Sequence, residues 1–263
     1  MTRRTGRPAG QAPPGPAALS SGPLPIPSLE ALGLRATLYL AGLLRAQAQR
    51  IPVAPTHRAA LRVLDSLQDL GLIQVPWPAE RWQIRPDAEV TPMENLQWAY
   101  AWPVHERPHL LTALEDQLTE WVHNDTLDEQ RSAVWEELAQ WETEQFLEQQ
   151  LRKHHFDFEW ARDVAFVFRT APRGLPIARW RYCCWAAVRQ GASVALRQGA
   201  RDAAGIREAI FQEMHNRLRI LVSGSTQLGM FTPFQAMPGS SVAQIFVQHV
   251  LPLDWGYWTQ QRP

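Results

Sequence analysis

The sequence predicts a mainly α-helical protein in which a small α+β module precedes an all-α helical domain. Apolar residues recur at helical spacing through most of the chain, whereas strand-like signal is confined to Leu72-Ile73-Gln74-Val75 and the short Trp82-Gln-Ile84. With 263 residues, 45% hydrophobic and 10% aromatic, the chain can bury a sizeable core, and 12 Trp supply large packing surfaces within those helical patterns.

Residues 1–28 hold seven Pro and four Gly, a composition that buries little, and read as a disordered tail. The α+β module is expected over 29–100. A helix from about Leu34 to Gln49 carries Leu34, Leu38, Leu40 and Leu44. Ile51-Pro-Val-Ala-Pro55 ends it, because proline lacks the N–H and clashes with the preceding turn. Thr56 is placed to cap the next helix, which sets Leu61, Leu64 and Leu67 on one face and stops at Gly71 as a C′ residue. The strand at 72–75 is halted by Pro76, and Trp82-Gln-Ile84 is its expected hairpin partner.

Residues 101–263 form the expected helical domain. Leu111, Leu114, Leu118, Trp121 and Val122 keep helical spacing; so do Val134, Leu138 and Trp141, continuing through Phe146, Leu147 and Leu151. Shorter or later stripes follow at Val164–Phe168, Ile177–Ala195 and Ile206–Leu221. A last helix, capped by Ser240 or Ser241, carries Val242, Ile245, Phe246, His249 and Val250.

Charge is balanced overall and segregated locally. Twenty-six basic and 26 acidic side chains cancel, excluding both a uniformly basic nucleic-acid coat and an acidic solvating chain. Residues 1–100 carry net +3, residues 101–160 net −10 and residues 161–263 net +7. Arg179, Arg181, Arg189, Arg197, Arg201, Arg207, Arg217 and Arg219 are accordingly expected to pair with Glu136, Glu137, Glu142, Glu144 and Glu148; the alternative is that, interleaved with Trp180 and Trp185, they hold phosphate and stack bases. All basic residues but Lys153 are Arg, a bias that coding composition alone can produce. The only cysteines, Cys183 and Cys184, are adjacent and make no secreted-type framework, which points to the cytoplasm. No apolar run is long enough to cross a bilayer, so no membrane partner is expected.

The segment from Thr56 to Val75, a capped helix ending in Leu-Gly-Leu-Ile before a strand, resembles the recognition helix and first wing strand of winged helix-turn-helix proteins. The resemblance spans about residues 29–85 and implies that His57, Arg58 and Arg62 enter the major groove of double-stranded DNA while Arg81 and Arg85 approach phosphate. One departure is plain: the proline-containing segment between Arg50 and Thr56 leaves no room for the family's middle helix. Residues 135–250 resemble an uncharacterised helical family associated with bacterial mobile elements. The likeness rests on Trp-Glu-Glu-Leu at 135–138, Leu-Arg-Lys-His-His-Phe-Asp-Phe at 151–158, Ile-Ala-Arg-Trp-Arg-Tyr-Cys-Cys-Trp-Ala-Ala-Val-Arg at 177–189 and Pro-Gly-Ser-Ser-Val-Ala-Gln-Ile-Phe at 238–246. It brings no catalytic residue with it.

No enzymatic signature emerges, and no cofactor or metal is expected. His154, His155, Asp157, Glu159 and Asp163 fit neither zinc nor calcium spacing. An Arg50/His57 ribonuclease-like pair would span two prolines, Ser223-Gly224-Ser225 lacks a phosphate-loop lysine, and His249 falls in an apolar stripe. The leading expectation is a non-enzymatic DNA-binding or regulatory protein. The alternative is a helical adaptor that contacts itself or a protein partner and never touches nucleic acid.

Overall fold

The computed structural model describes residues 28–74, 98–171, 174–198, 202–223, 229–253 and 256–261. Of these, 76% are helical, and the strands form one two-stranded antiparallel sheet, so the class is mainly α with a small α+β element. No helix among the described residues is long and apolar enough to cross a membrane.

Helix α1 (Leu34–Gln49) follows its leucine pattern but is buried around nearly all its circumference between Leu34 and Ala46. It ends at Arg50, whose φ of 57° turns the chain through a left-handed residue into the proline-containing connection. Helix α2 (His57–Asp69) starts as its sequence requires, with the Thr56 hydroxyl accepting the Ala59 N–H at 3.1 Å. At its other end Gly71 supplies a φ of +69°, which favours glycine.

Strand β1 (Ile73–Gln74) pairs with β2 (Ala99–Tyr100), Ile73 opposite Tyr100. The hairpin partner expected at 82–84 lies outside the described residues, as does Val75; the described partner is a later segment. Two residues of Ala-Tyr carry no alternation long enough to be read as a strand.

Five helices then follow: α3 (Arg107–Glu120), α4 (Asp128–Lys153), α5 (Val164–Thr170), α6 (Ile177–Gln198) and α7 (Ala203–Ser223). Helix α4 is roughly 39 Å long at 1.5 Å per residue. It is the spine of the molecule, since its two halves enter different cores. Val134, Trp135, Leu138 and Trp141 join α1, α2, α3 and Tyr100. Phe146, Leu147 and Leu151 join Val164, Val167 and the facing stripes of α6 and α7. The first core therefore runs across residue 100, and the N-terminal helices share apolar contacts with the chain beyond it.

The C-terminal segment closes the first core. Helix α8 (Ser241–Ile245) widens into a π-helical turn over Phe246–Val250, and a single turn, α9 (Gly256–Thr259), follows. Ser240 holds the N-cap position of α8 without a side-chain cap. The Ser241 hydroxyl instead donates to the Gly42 carbonyl at 2.6 Å. The expected serine cap is thus replaced by a bond that ties α8 to α1. Gly42 allows that approach: a Cβ there would lie 2.4 Å from Val242 Cγ2 and 3.2 Å from its Cα.

Candidate nucleic-acid interface

The residues expected to read DNA sit on the first turns of α2. Its apolar face, Ala59, Ala60, Leu61, Val63, Leu64 and Leu67, is buried; His57 and Arg58 are partly covered and Arg62 is exposed. Arg58 turns toward the body of the protein, its Nη1 3.7 Å from Oε1 of Glu144, whose side chain is only 4% exposed. Burial lowers the Arg58 pKa from its ordinary value, and Glu144 opposes that shift. Burial likewise raises the Glu144 carboxyl, with Arg58, Arg62 and Arg162 pulling it back. One turn along α4, burial and the Glu144 charge push Glu148 up to about 7. Drawing Arg58 out to a base edge would take from a buried carboxylate the foremost of the cations that stabilise its charge, which is unfavourable. Arg81 and Arg85 lie outside the described residues.

Arg62 lines a cleft of about 580 Å³ together with Arg35, Trp135, Glu136, Glu137, Phe168, Arg169 and Trp180. Glu137 is already engaged: its Oε2 accepts the Tyr39 hydroxyl at 2.7 Å and lies 3.4 Å from Arg35 Nε. Phe168 lies flat on buried Trp180, ring centres 3.8 Å apart and planes 11° from parallel.

The C-terminal arginines take partners other than most of those expected. Among the described residues, Arg181 faces the acidic face of α4, where Glu142 is buried and pushed up to about 7 by desolvation, with Arg181 opposing; Arg179 makes no ion pair there, and its Nη1 is buried without a hydrogen-bond partner. The Arg181 guanidinium also stacks over Phe146 at 4.5 Å and Trp258 at 5.2 Å. Arg207 reaches Asp163 at 2.5 Å and Arg217 reaches Glu213 at 2.6 Å within its own helix. Arg219 bonds Asn216, Arg197 bonds the Ser193 carbonyl and Arg189 covers the Trp185 ring. Arg201 lies outside the described residues. Among the carboxylates of α4, Glu137 and Glu144 are instead met from the N-terminal side, by Arg35 and Arg58.

The group from His154 to Asp163 is spread along a chain reversal. Asp157 accepts the Glu159 N–H, Arg162 pairs with Glu159 and Asp163 with Arg207; the rings of His154, Phe156 and Trp160 stack in series. No cluster of three metal-binding side chains occurs among the described residues. Cys183 and Cys184 are buried, and burial pushes the Cys183 thiol up to about 12, far from a reactive thiolate.

A polar cluster that sequence reasoning missed joins α1, α3 and the π-helical turn. Arg45 donates from Nε and Nη2 to Glu115 at 3.1 and 2.6 Å and from Nη1 to Gln248 at 2.5 Å. Its Nη2 also lies 3.2 Å from His249 Nε2. A guanidinium only donates, so that nitrogen is the acceptor and the imidazole proton is on Nδ1, 3.0 Å from the Thr119 hydroxyl. Thr119 in turn donates to the Glu115 carbonyl at 2.9 Å. Burial holds the His249 pKa below its ordinary value, with Glu115 opposing and Arg45 assisting. In this tautomer the His249 Nδ1–H donates a hydrogen bond to the Thr119 hydroxyl rather than accepting one, so Thr119 is no activated nucleophile. The signal available in sequence was only a histidine in an apolar stripe; its partners are 130 and 204 residues away.

Comparison with protein-family models, with curated proteins and with solved structures yields no match to this chain, so its functional reading rests on this geometry.

Proposed function

We propose that the chain is a non-enzymatic helical interaction protein, an adaptor that docks other protein surfaces rather than duplex DNA. The observation that carries this reading is Arg58, the second residue of the recognition-like helix, turned onto the buried carboxylate of Glu144. A helix that reads the major groove needs its leading side chains free to reach base edges. Here one of them neutralises the protein's own spine. The locked tautomer of His249 and the buried thiols support the absence of acid–base or nucleophilic chemistry at those groups.

A second reading is favoured by a separate observation. Arg62 is exposed on the same helix and shares a cleft with Arg35 and Arg169. On that reading the protein contacts DNA through phosphate, as part of a bacterial mobile element. Fluorescence anisotropy with a labelled duplex between about 50 and about 200 mM salt separates the two, because phosphate contacts make affinity fall steeply with salt. The adaptor reading expects no saturable binding at either salt. Binding that weakens with salt and is lost in Arg62→Ala would replace it with the DNA reading.

A further inference from the structure

We infer that the cleft between α1, α2, α4, α5 and the start of α6 is a binding site for a small anion joined to a flat ring: a phosphate or carboxylate carrying an aryl group or nucleobase. Its volume of about 580 Å³ lies within the range of small-molecule sites. Three guanidiniums, from Arg35, Arg62 and Arg169, meet two carboxylates there, and Glu137 is taken by Tyr39 and Arg35. Glu136 has an interaction of its own. Arg62 and Arg169 have no carboxylate within 4.0 Å among the described residues, although both line the same cavity. Guanidiniums offer planar paired donors that suit the oxygens of phosphate and carboxylate.

The apolar wall supplies the second half of the recognition. Trp180 covers one face of Phe168, so the outer face of that half-buried ring is the surface available to a flat ligand. Stacking of this kind is worth about 1–3 kcal/mol for a base on an aromatic side chain. Trp135, also part of the lining, carries an indole N–H that is buried without an acceptor. Among the described side chains that line the cavity, guanidiniums outnumber carboxylates three to two, which favours an anionic ligand. This site is independent of whether the chain is an adaptor, since it concerns a small ligand and not the macromolecular partner.

Isothermal titration of the full chain tests it with four probes: adenosine monophosphate, indole-3-carboxylate, inorganic phosphate and adenosine. The expected result is binding of at least one ring-bearing anion, at least tenfold tighter than inorganic phosphate or adenosine alone. The better of the first two identifies the anion as phosphate or carboxylate. Arg62→Gln and Arg169→Gln, both at exposed positions, should each weaken that binding at least tenfold while leaving the circular dichroism spectrum unchanged. No binding by either ring-bearing anion, or equal binding by wild type and both arginine variants, would overturn the assignment.

Discussion

Arg45 shows how a single guanidinium can be buried with each of its nitrogens engaged. It is 8% exposed, and its three donor nitrogens are met by Glu115, Gln248 and His249 from two other elements. Replacing it with Met should cost about 3–5 kcal/mol in urea unfolding, because Glu115 loses its cation in a partly desolvated place. Replacing the cap hydroxyl in Thr56→Ala should cost about 1 kcal/mol, measured the same way, with no change in helix content. The cap was legible in the sequence because capping is local: Thr56 and the N–H of Ala59 are three residues apart. The Arg45 cluster was not, because every bond that Arg45 makes depends on chain segments brought together only by the fold. His249 falls in an apolar stripe and is half-buried, and its tautomer follows from the arginine beside it.

At the scale of elements, period carried most of the information. The stripes that placed helices at 34–49, 177–195 and 206–221 match α1, α6 and α7: α6 and α7 bury residues at helical spacing, and α1 is buried on nearly every side. Strand β2 escaped notice because two residues hold no period. Which carboxylate of α4 meets which arginine was also beyond reach: composition gives the net charge of a segment, not the direction its helix faces. The tightest contact between elements makes a separate prediction. Gly42→Ala would place a methyl carbon 2.4 Å from Val242 Cγ2 and close to the Val242 backbone, so α1 and α8 must separate. The expected destabilisation is about 1–3 kcal/mol by thermal or urea unfolding. It should appear despite the roughly 1 kcal/mol that alanine gains over glycine in a helix. Adding Val242→Ala should recover part of the loss; full stability in the single variant would mean that the helices are not in contact at this point.

The whole molecule inherits a pH dependence from what it buries. Glu142 and Glu148 are raised to about 7 and Asp65 to about 6, in each case chiefly by desolvation. Their folded pKa values lie above the ordinary 4.5 for Glu and 3.8 for Asp, so the folded state holds protons that the unfolded chain releases. Their contribution is complete below those ordinary values and is lost as pH rises through about 7. His154 and His249 have lowered pKa values and act in the opposite sense, losing their contribution as pH falls below 6.5. Urea unfolding should therefore show greater stability near pH 6 than near pH 8, and Glu142→Gln should flatten that difference. Equal slopes in the variant and the wild type would remove Glu142 from the explanation.

The claim on which the functional reading turns is that Arg58 serves the buried carboxylate of Glu144. A double-mutant cycle with Arg58→Ala, Glu144→Ala and the combined variant measures that link in the intact chain, using urea unfolding at neutral pH. The expected result is a coupling free energy of about 1 kcal/mol or more, with the double variant less destabilised than the sum of the singles. Additivity within about 0.3 kcal/mol would show that Arg58 is energetically free to face a polyanion.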